Sequence, residues 1–255
     1  FLGRAYQQIP VAITVEGANI LTRSLIIFGQ GAIRCHPYVM AEMQAAQKND
    51  LVAFDKAFFA HIGHTIGNGL RAFFTGLTGS NFVGVPANVA PETRRYYQQL
   101  TRFSSAFAFL ADISMLVMGG DLKRKEKLSA RMGDILSLMY LSSAVLKRYE
   151  AEGRQQADAP LMHWAIWDSM FKAQNAFEGV ISNYSNRLVA WFLRRLIFPL
   201  GRPYVVPSDQ LGHQVAKLLI EPSATRDRLT LGMHLPRTEE EPVGAEVTFP
   251  AHLHA

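Results

Sequence analysis

The 255-residue chain is 49% hydrophobic and 18% charged, with a net charge of +5 and an isoelectric point near 9.4. That is enough apolar material for one or two domains with a substantial core. A single cysteine, Cys35, excludes an intramolecular disulfide framework and fits a reducing compartment. The moderate basicity lacks the aromatic and basic interleaving of RNA-binding modules, and no zinc-finger spacing is present, so nucleic acid is not an expected partner. The chain opens on Phe1 in mid-pattern and reads as a piece of a longer or processed polypeptide.

In chain order, residues 1–16 are a short lead-in broken by Pro10, and Val11-Ala12-Ile13-Thr14-Val15 is β-branched and extended in character. A long helical pattern follows from about Gly17 to Gln47. His36-Pro37 interrupts it, because proline removes a backbone donor and disfavours helix at the residue before it. Asp50 is placed to cap a second helix reaching about Leu77. Its apolar positions Phe54, Phe58, Ile62, Ile66, Leu70 and Phe73 share one face. Residues 78–91, with Pro86 and Pro91, form the longest interior loop.

The third helix, about Glu92 to Met118, carries the stripe Tyr96, Leu100, Phe103, Phe107, Leu110, Ser114, Val117. Gly119-Gly120 ends it, and Asp121 is placed to cap a fourth helix to about Glu152, with Leu128, Met132, Ile135, Met139, Ser142 and Leu146 in line. The short turn predicts an αα-hairpin. The apolar run Phe103 to Met118 is shorter than the ~20 residues a membrane span needs. A fifth helix covers about Leu161 to Tyr184, a shorter one Asn186 to Ile197, and Ser208 caps a last one through about Ile220. Beyond Glu221 the pattern fades, and Thr238-Glu239-Glu240-Glu241-Pro242 reads as a mobile tail. With no alternating strands, the class is all-α.

Few constellations carry chemistry. His61 and His64 share a helix face but lack a carboxylate at metal-ligand spacing, so no metal site is expected. No Walker-type or dinucleotide glycine fingerprint is present. Cys35 beside His36 invites a nucleophile reading, but neighbours on a helix do not face each other, which favours an inert, partly buried thiol. Lys123, Arg124, Lys125, Lys127 and Arg131 crowd a helix N-terminus, against its dipole. Water, an anionic ligand, a lipid surface or a partner would each compensate. Arg194, Arg195 and Arg202 form a second, weaker basic group. Asp112, inside an apolar run, calls for a structural pair with a neighbouring helix.

The most informative carboxylate is Glu16. It follows Ile13 and Val15 and precedes Gly17, at the mouth of the first long helix. Apolar surroundings raise a carboxyl's pKa toward the range of a general base. Gly17 leaves room for a ligand, and the amides from Ala18 to Leu21 can face a negative group. The plain alternative is a glutamate favourably placed at a helix start.

The segment Val15-Glu16-Gly17-Ala18-Asn19-Ile20-Leu21-Thr22-Arg23 resembles the acyl-coenzyme A dehydrogenase motif Tyr-Glu-Gly-Thr with its arginine downstream. The run from Ile26 to Pro37, Ser129 to Leu136 and Ala144 to Tyr149 are similar to the bacterial long-chain branch of that family, and the resemblance extends to about Arg228. It implies an FAD enzyme of fatty-acid β-oxidation that desaturates acyl-CoA thioesters between Cα and Cβ. Glu16 would remove the α-proton as a hydride leaves Cβ, with Gly17 and Ala18 near FAD or the thioester. Val15 and Ala18 replace the motif's tyrosine and threonine, which removes two hydroxyl contacts.

The resemblance divides the chain into residues 1–78, the end of the family's C-terminal helical bundle, residues 79–220, a helical extension, and residues 221–255, a mostly irregular tail. It also implies a homo-oligomer, an electron-accepting flavoprotein partner and a cytoplasmic location with peripheral contact to the inner membrane surface. The family's flavin-binding middle domain is absent from these residues, so the chain by itself is expected neither to hold FAD tightly nor to turn over. The alternative is a non-catalytic helical module for dimerisation or membrane-surface docking.

Overall fold

A computed structural model describes Gly3, residues 6–9 and residues 29–232, apart from the Lys123 side chain. The described residues are helical, without strands. Residues 14–215 form one compact unit, and residues 1–13 with 216–255 form another.

The larger unit begins with α1 (Gly31–Arg34), a turn through His36-Pro37, and α2 (Val39–Gln47). α3 (Leu51–Leu77) starts where the sequence places it: Asp50 Oδ1 accepts the Ala53 amide at 3.0 Å. α4 (Arg94–Met118) ends at Gly119, whose φ of +50° is reached cheaply only by glycine. A 3-10 segment, Gly119–Lys123, then separates it from α5 (Glu126–Ala151). Asp121 therefore does not cap α5; it pairs with Arg124 at 3.0 Å on the surface. α6 (Ala159–Ser182) and α7 (Arg187–Ile197) follow, the latter capped by Asn186, whose Oδ1 accepts the Leu188 and Val189 amides. α8 spans Asp209–Ile220.

The core lies between α4, α5 and α6. Phe103, Leu110, Met132, Ile135, Leu146, Ile166 and Phe177 are all but sealed from water. The α4 and α5 stripes expected from the sequence are buried or half-buried, except Val117, which is exposed. The hairpin expectation is refined: α5 packs along α6 more extensively than along α4. α4 is also longer than its apolar run, and by length and hydropathy a helix from Arg94 to Leu122 could cross a membrane. It buries two charged side chains, each with a partner: Arg102 donates to the Ile197 carbonyl at 3.0 Å, and Asp112 is described below.

On the apolar face of α3 read from the sequence, Phe54 and Phe73 are half-buried, but Phe58, Ile62, Ile66 and Leu70 are 40–57% exposed, as are the neighbouring Phe59 and Phe74 at 67 and 59%. The buried face is Asn68, Gly69, Ala72, Thr75 and Gly76. Small residues win that face because they let α3 approach closely. A Cβ at Gly69 would meet the Phe109 ring at 2.9 Å, and one at Gly76 would meet Pro199 at 2.8 Å.

In the second unit residues 6–9 are helical. The fading pattern beyond Glu221 hides a short helix, α9 (Ala224–Leu229), capped where Ser223 Oγ accepts the Arg226 amide at 3.1 Å. The tail proposed at Thr238–Pro242 lies outside the described residues.

Candidate functional site

Glu16, Gly17 and Ala18 lie outside the described residues. The described chain brings together a different set, which the sequence did not assemble: His36, Glu42, His61, Thr65 and Asp112. The turn before α2 supplies His36, α3 supplies His61 and Thr65 one turn apart, and α4 supplies Asp112.

Protons in this cluster follow from the donors. His36 Nδ1 accepts the Tyr38 and Val39 amides, both at 3.2 Å, satisfying two free N–H groups at the start of α2. A neutral imidazole that accepts at Nδ1 carries its proton on Nε2, so His36 Nε2 donates to Asp112 Oδ1 at 3.0 Å. Thr65 Oγ1 donates to Asp112 Oδ2 at 2.8 Å. The 96%-buried Asp112 carboxylate is thus satisfied at both oxygens, which is the structural pairing its place in an apolar run demanded. Burial is the main cause that holds the His36 pKa below its ordinary 6.5, against the pull of Asp112 in the other direction.

His61 bridges two carboxylates. Its Nδ1 lies 2.8 Å from Glu42 Oε1 and its Nε2 3.7 Å from Asp112 Oδ1, while the Tyr38 ring stacks near-parallel on it at 6.0 Å. The carboxylate partners thought missing for this histidine come from α2 and α4, out of reach of any spacing rule along α3. His64 lies 2.9 Å from the Asn68 side-chain amide instead. The donor atoms of His36, His61 and Asp112 lie within 4.8 Å of one another. A cation there would require the opposite His36 tautomer and would strip the α2 amides of their acceptor. The cluster is built as a latch that pins the turn after the first helical segment onto α3 and α4.

Cys35 is exposed, not partly buried as expected. Both nitrogens of the adjacent His36 are committed elsewhere, so that imidazole is not free to activate the thiol. Of the basic groups, Lys125 donates to Ser185 and Arg124 is paired with Asp121. Arg194, Arg195 and Arg202 line a cavity of about 570 Å³ together with Trp191 and Glu178. Arg194 is engaged by Glu178, and the Arg195 guanidinium lies 5.9 Å over the Trp191 ring.

The family description "Acyl-CoA dehydrogenase, C-terminal, bacterial type" matches residues 33–254. The chain belongs to this family. The match covers α2 through α9 and all of the latch described above. No solved structure matches the chain.

A second network holds the long loop of this family member. Glu150 Oε1 accepts the Ala90 amide and the Thr93 hydroxyl, both at 2.9 Å, and Oε2 accepts Arg154. Burial alone would raise the Glu150 carboxyl, but these hydrogen bonds outweigh it and hold its pKa below 4.5. Tyr149 donates to Glu92 at 2.9 Å, and burial, reinforced by that carboxylate, pushes its phenol up to about 12. The loop is thereby fastened to the end of α5.

Proposed function

We propose that the chain is the C-terminal portion of an FAD-dependent acyl-CoA dehydrogenase of fatty-acid β-oxidation, with Glu16 as the base that removes the α-proton of the acyl thioester. The observation that carries this is the family match at residues 33–254, immediately downstream of the Val15-Glu16-Gly17 motif. When bound, FAD supplies the acceptor for the hydride that leaves Cβ. The chain's own contribution is to bring a carboxylate to Cα in apolar surroundings, where an ionised base is poorly solvated and more basic. Gly17 and Ala18, the positions proposed to lie against FAD or the thioester, are outside the described residues.

The His36–Asp112 latch supports this reading as scaffold. It fixes the turn at His36-Pro37, downstream of the motif, onto α3 and α4. Electrons leave to a flavoprotein acceptor, and the enzyme works in the cytoplasm at the inner membrane surface.

The test is Glu16→Gln in the polypeptide that carries the flavin-binding domains upstream. Loss of a positioned base lowers dehydrogenation by about 10²–10⁴-fold, with the flavin absorbance retained. Turnover near that of the unaltered enzyme would remove Glu16 from the mechanism.

A further inference from the structure

α7 and the loop after it wall a basic groove whose charges the fold leaves largely unspent. Arg187, Trp191, Arg194 and Arg195 stand at positions i, i+4, i+7 and i+8 of α7 and so share a face. Two cavities, of about 570 and about 360 Å³, have Trp191 and Arg194 in common in their walls. Arg195 and Arg202 line the larger, and Arg187 lines the smaller. The one carboxylate in either wall, Glu178 of α6, is held by Arg194 and by the Ser182 hydroxyl at 2.5 Å. Arg187, Arg195 and Arg202 have no ion-pair partner among the described residues: Arg187 reaches the Ser182 carbonyl at 3.5 Å, and Arg195 lies over the Trp191 ring.

A second observation comes from inside the bundle. Arg102 is 5% exposed, donates to the Ile197 carbonyl at 3.0 Å and lies 5.9 Å from the centre of the Phe198 ring, which is itself part of the groove wall. No carboxylate pairs with it among the described residues. A buried cation without a counter-charge is costly, and an anion in the groove, across Phe198, offsets that cost.

We propose that this groove binds a small phosphorylated molecule with an aromatic base, of the size and charge of a nucleoside diphosphate. Arg195 and Arg202 hold the phosphates, Trp191 stacks on the base, and Arg187 and Arg102 add to the positive field. Guanidinium forks match phosphate oxygens in pairs. Trp191 is 60% exposed, and its ring can stack on any base because every base presents a π-face. A nucleoside diphosphate carries about three negative charges at pH 7, as many as the groove has unpaired guanidiniums. The larger cavity falls within the roughly 300–1,000 Å³ of small-molecule sites. A lipid headgroup offers the same phosphate without the base, and the arms of the test separate the two. The site rests on none of the residues assigned to dehydrogenation.

Isothermal titration calorimetry of ADP into the 255-residue chain at low ionic strength tests it. Arg195→Gln and Arg202→Gln are each expected to weaken binding about tenfold. Trp191→Leu is expected to weaken ADP about tenfold while changing inorganic pyrophosphate by less than about threefold. Arg71→Gln, at an exposed arginine on α3, is expected to change neither. All four side chains are exposed, so circular dichroism should show the helicity of the unaltered chain. No binding at about 1 mM ADP, a loss at Arg71→Gln equal to that at Arg195→Gln, or a Trp191→Leu loss that is the same for pyrophosphate overturns the proposal. Arginine-dependent binding to phosphatidylglycerol vesicles that ADP does not displace assigns the phosphate to a lipid headgroup and equally overturns it.

Discussion

α3 and α6 are both long, apolar helices, yet they meet water in opposite ways. α6 buries Met162, Ile166, Met170, Phe177, Val180 and Ile181 and leaves its polar side out. α3 buries glycine, alanine, threonine and asparagine and turns its phenylalanines and isoleucines outward. The contrast teaches that an apolar stripe locates a face that must be covered, without saying whether its own chain or another molecule covers it. Where close approach to a neighbour is what the fold needs, as for α3 against Phe109 and Pro199, small residues take the inner face.

The largest expected effect separates two phenylalanines. Phe177→Ala, fully buried against Phe103 at 5.6 Å, is expected to cost about 3–5 kcal/mol in chemical denaturation. Phe59→Ala, on the outer face of α3, is expected to stay within about 0.5 kcal/mol. Equal losses at the two sites would break the comparison. Asp112→Ala leaves the His36 Nε2–H without its acceptor, while the Thr65 hydroxyl keeps the His61 carbonyl at 3.1 Å, and about 1–3 kcal/mol is expected to be lost.

Two glycines on α3 sharpen the same contrast. Gly69→Ala is expected to destabilise by about 1–3 kcal/mol because the new methyl must displace the Phe109 ring. Gly63→Ala, with open space around it, is expected to raise the melting temperature through about 0.5–1 kcal/mol of helix propensity. The smallest effect is on pH. His36 and His163 are both held below 6.5, chiefly by burial, so the folded state resists protonation that the unfolded chain accepts. Stability is therefore full above pH 6.5 and lost as pH falls below it. Melting temperatures measured from pH 7.5 down to 5 should decline, and a flat profile would show that neither histidine titrates differently on folding.

The legible parts of this protein were local. Asp50 and Ser208 as caps, Gly119 as a terminator, His36-Pro37 as an interruption and the buried stripes of α4 and α5 all follow from rules that act within a few residues. The cap assigned to Asp121 failed because a 3-10 segment intervened, and the two glycines allowed that conformation as readily as a tight turn. The site was only half legible. That Asp112 needed a partner was plain from its apolar context, but its partners come from 76 and 47 residues away.

The sequence by itself determined the all-α class, the order and near-boundaries of the helices, and the Glu16 motif that carried the resemblance, because periodicity, capping and motif spacing are written along the chain. Only the tertiary structure decided which side of α3 is inside, which carboxylates meet His61, and which proton His36 holds. Those outcomes depend on close packing and on donor–acceptor geometry between elements distant in sequence, where no local pattern records the neighbour.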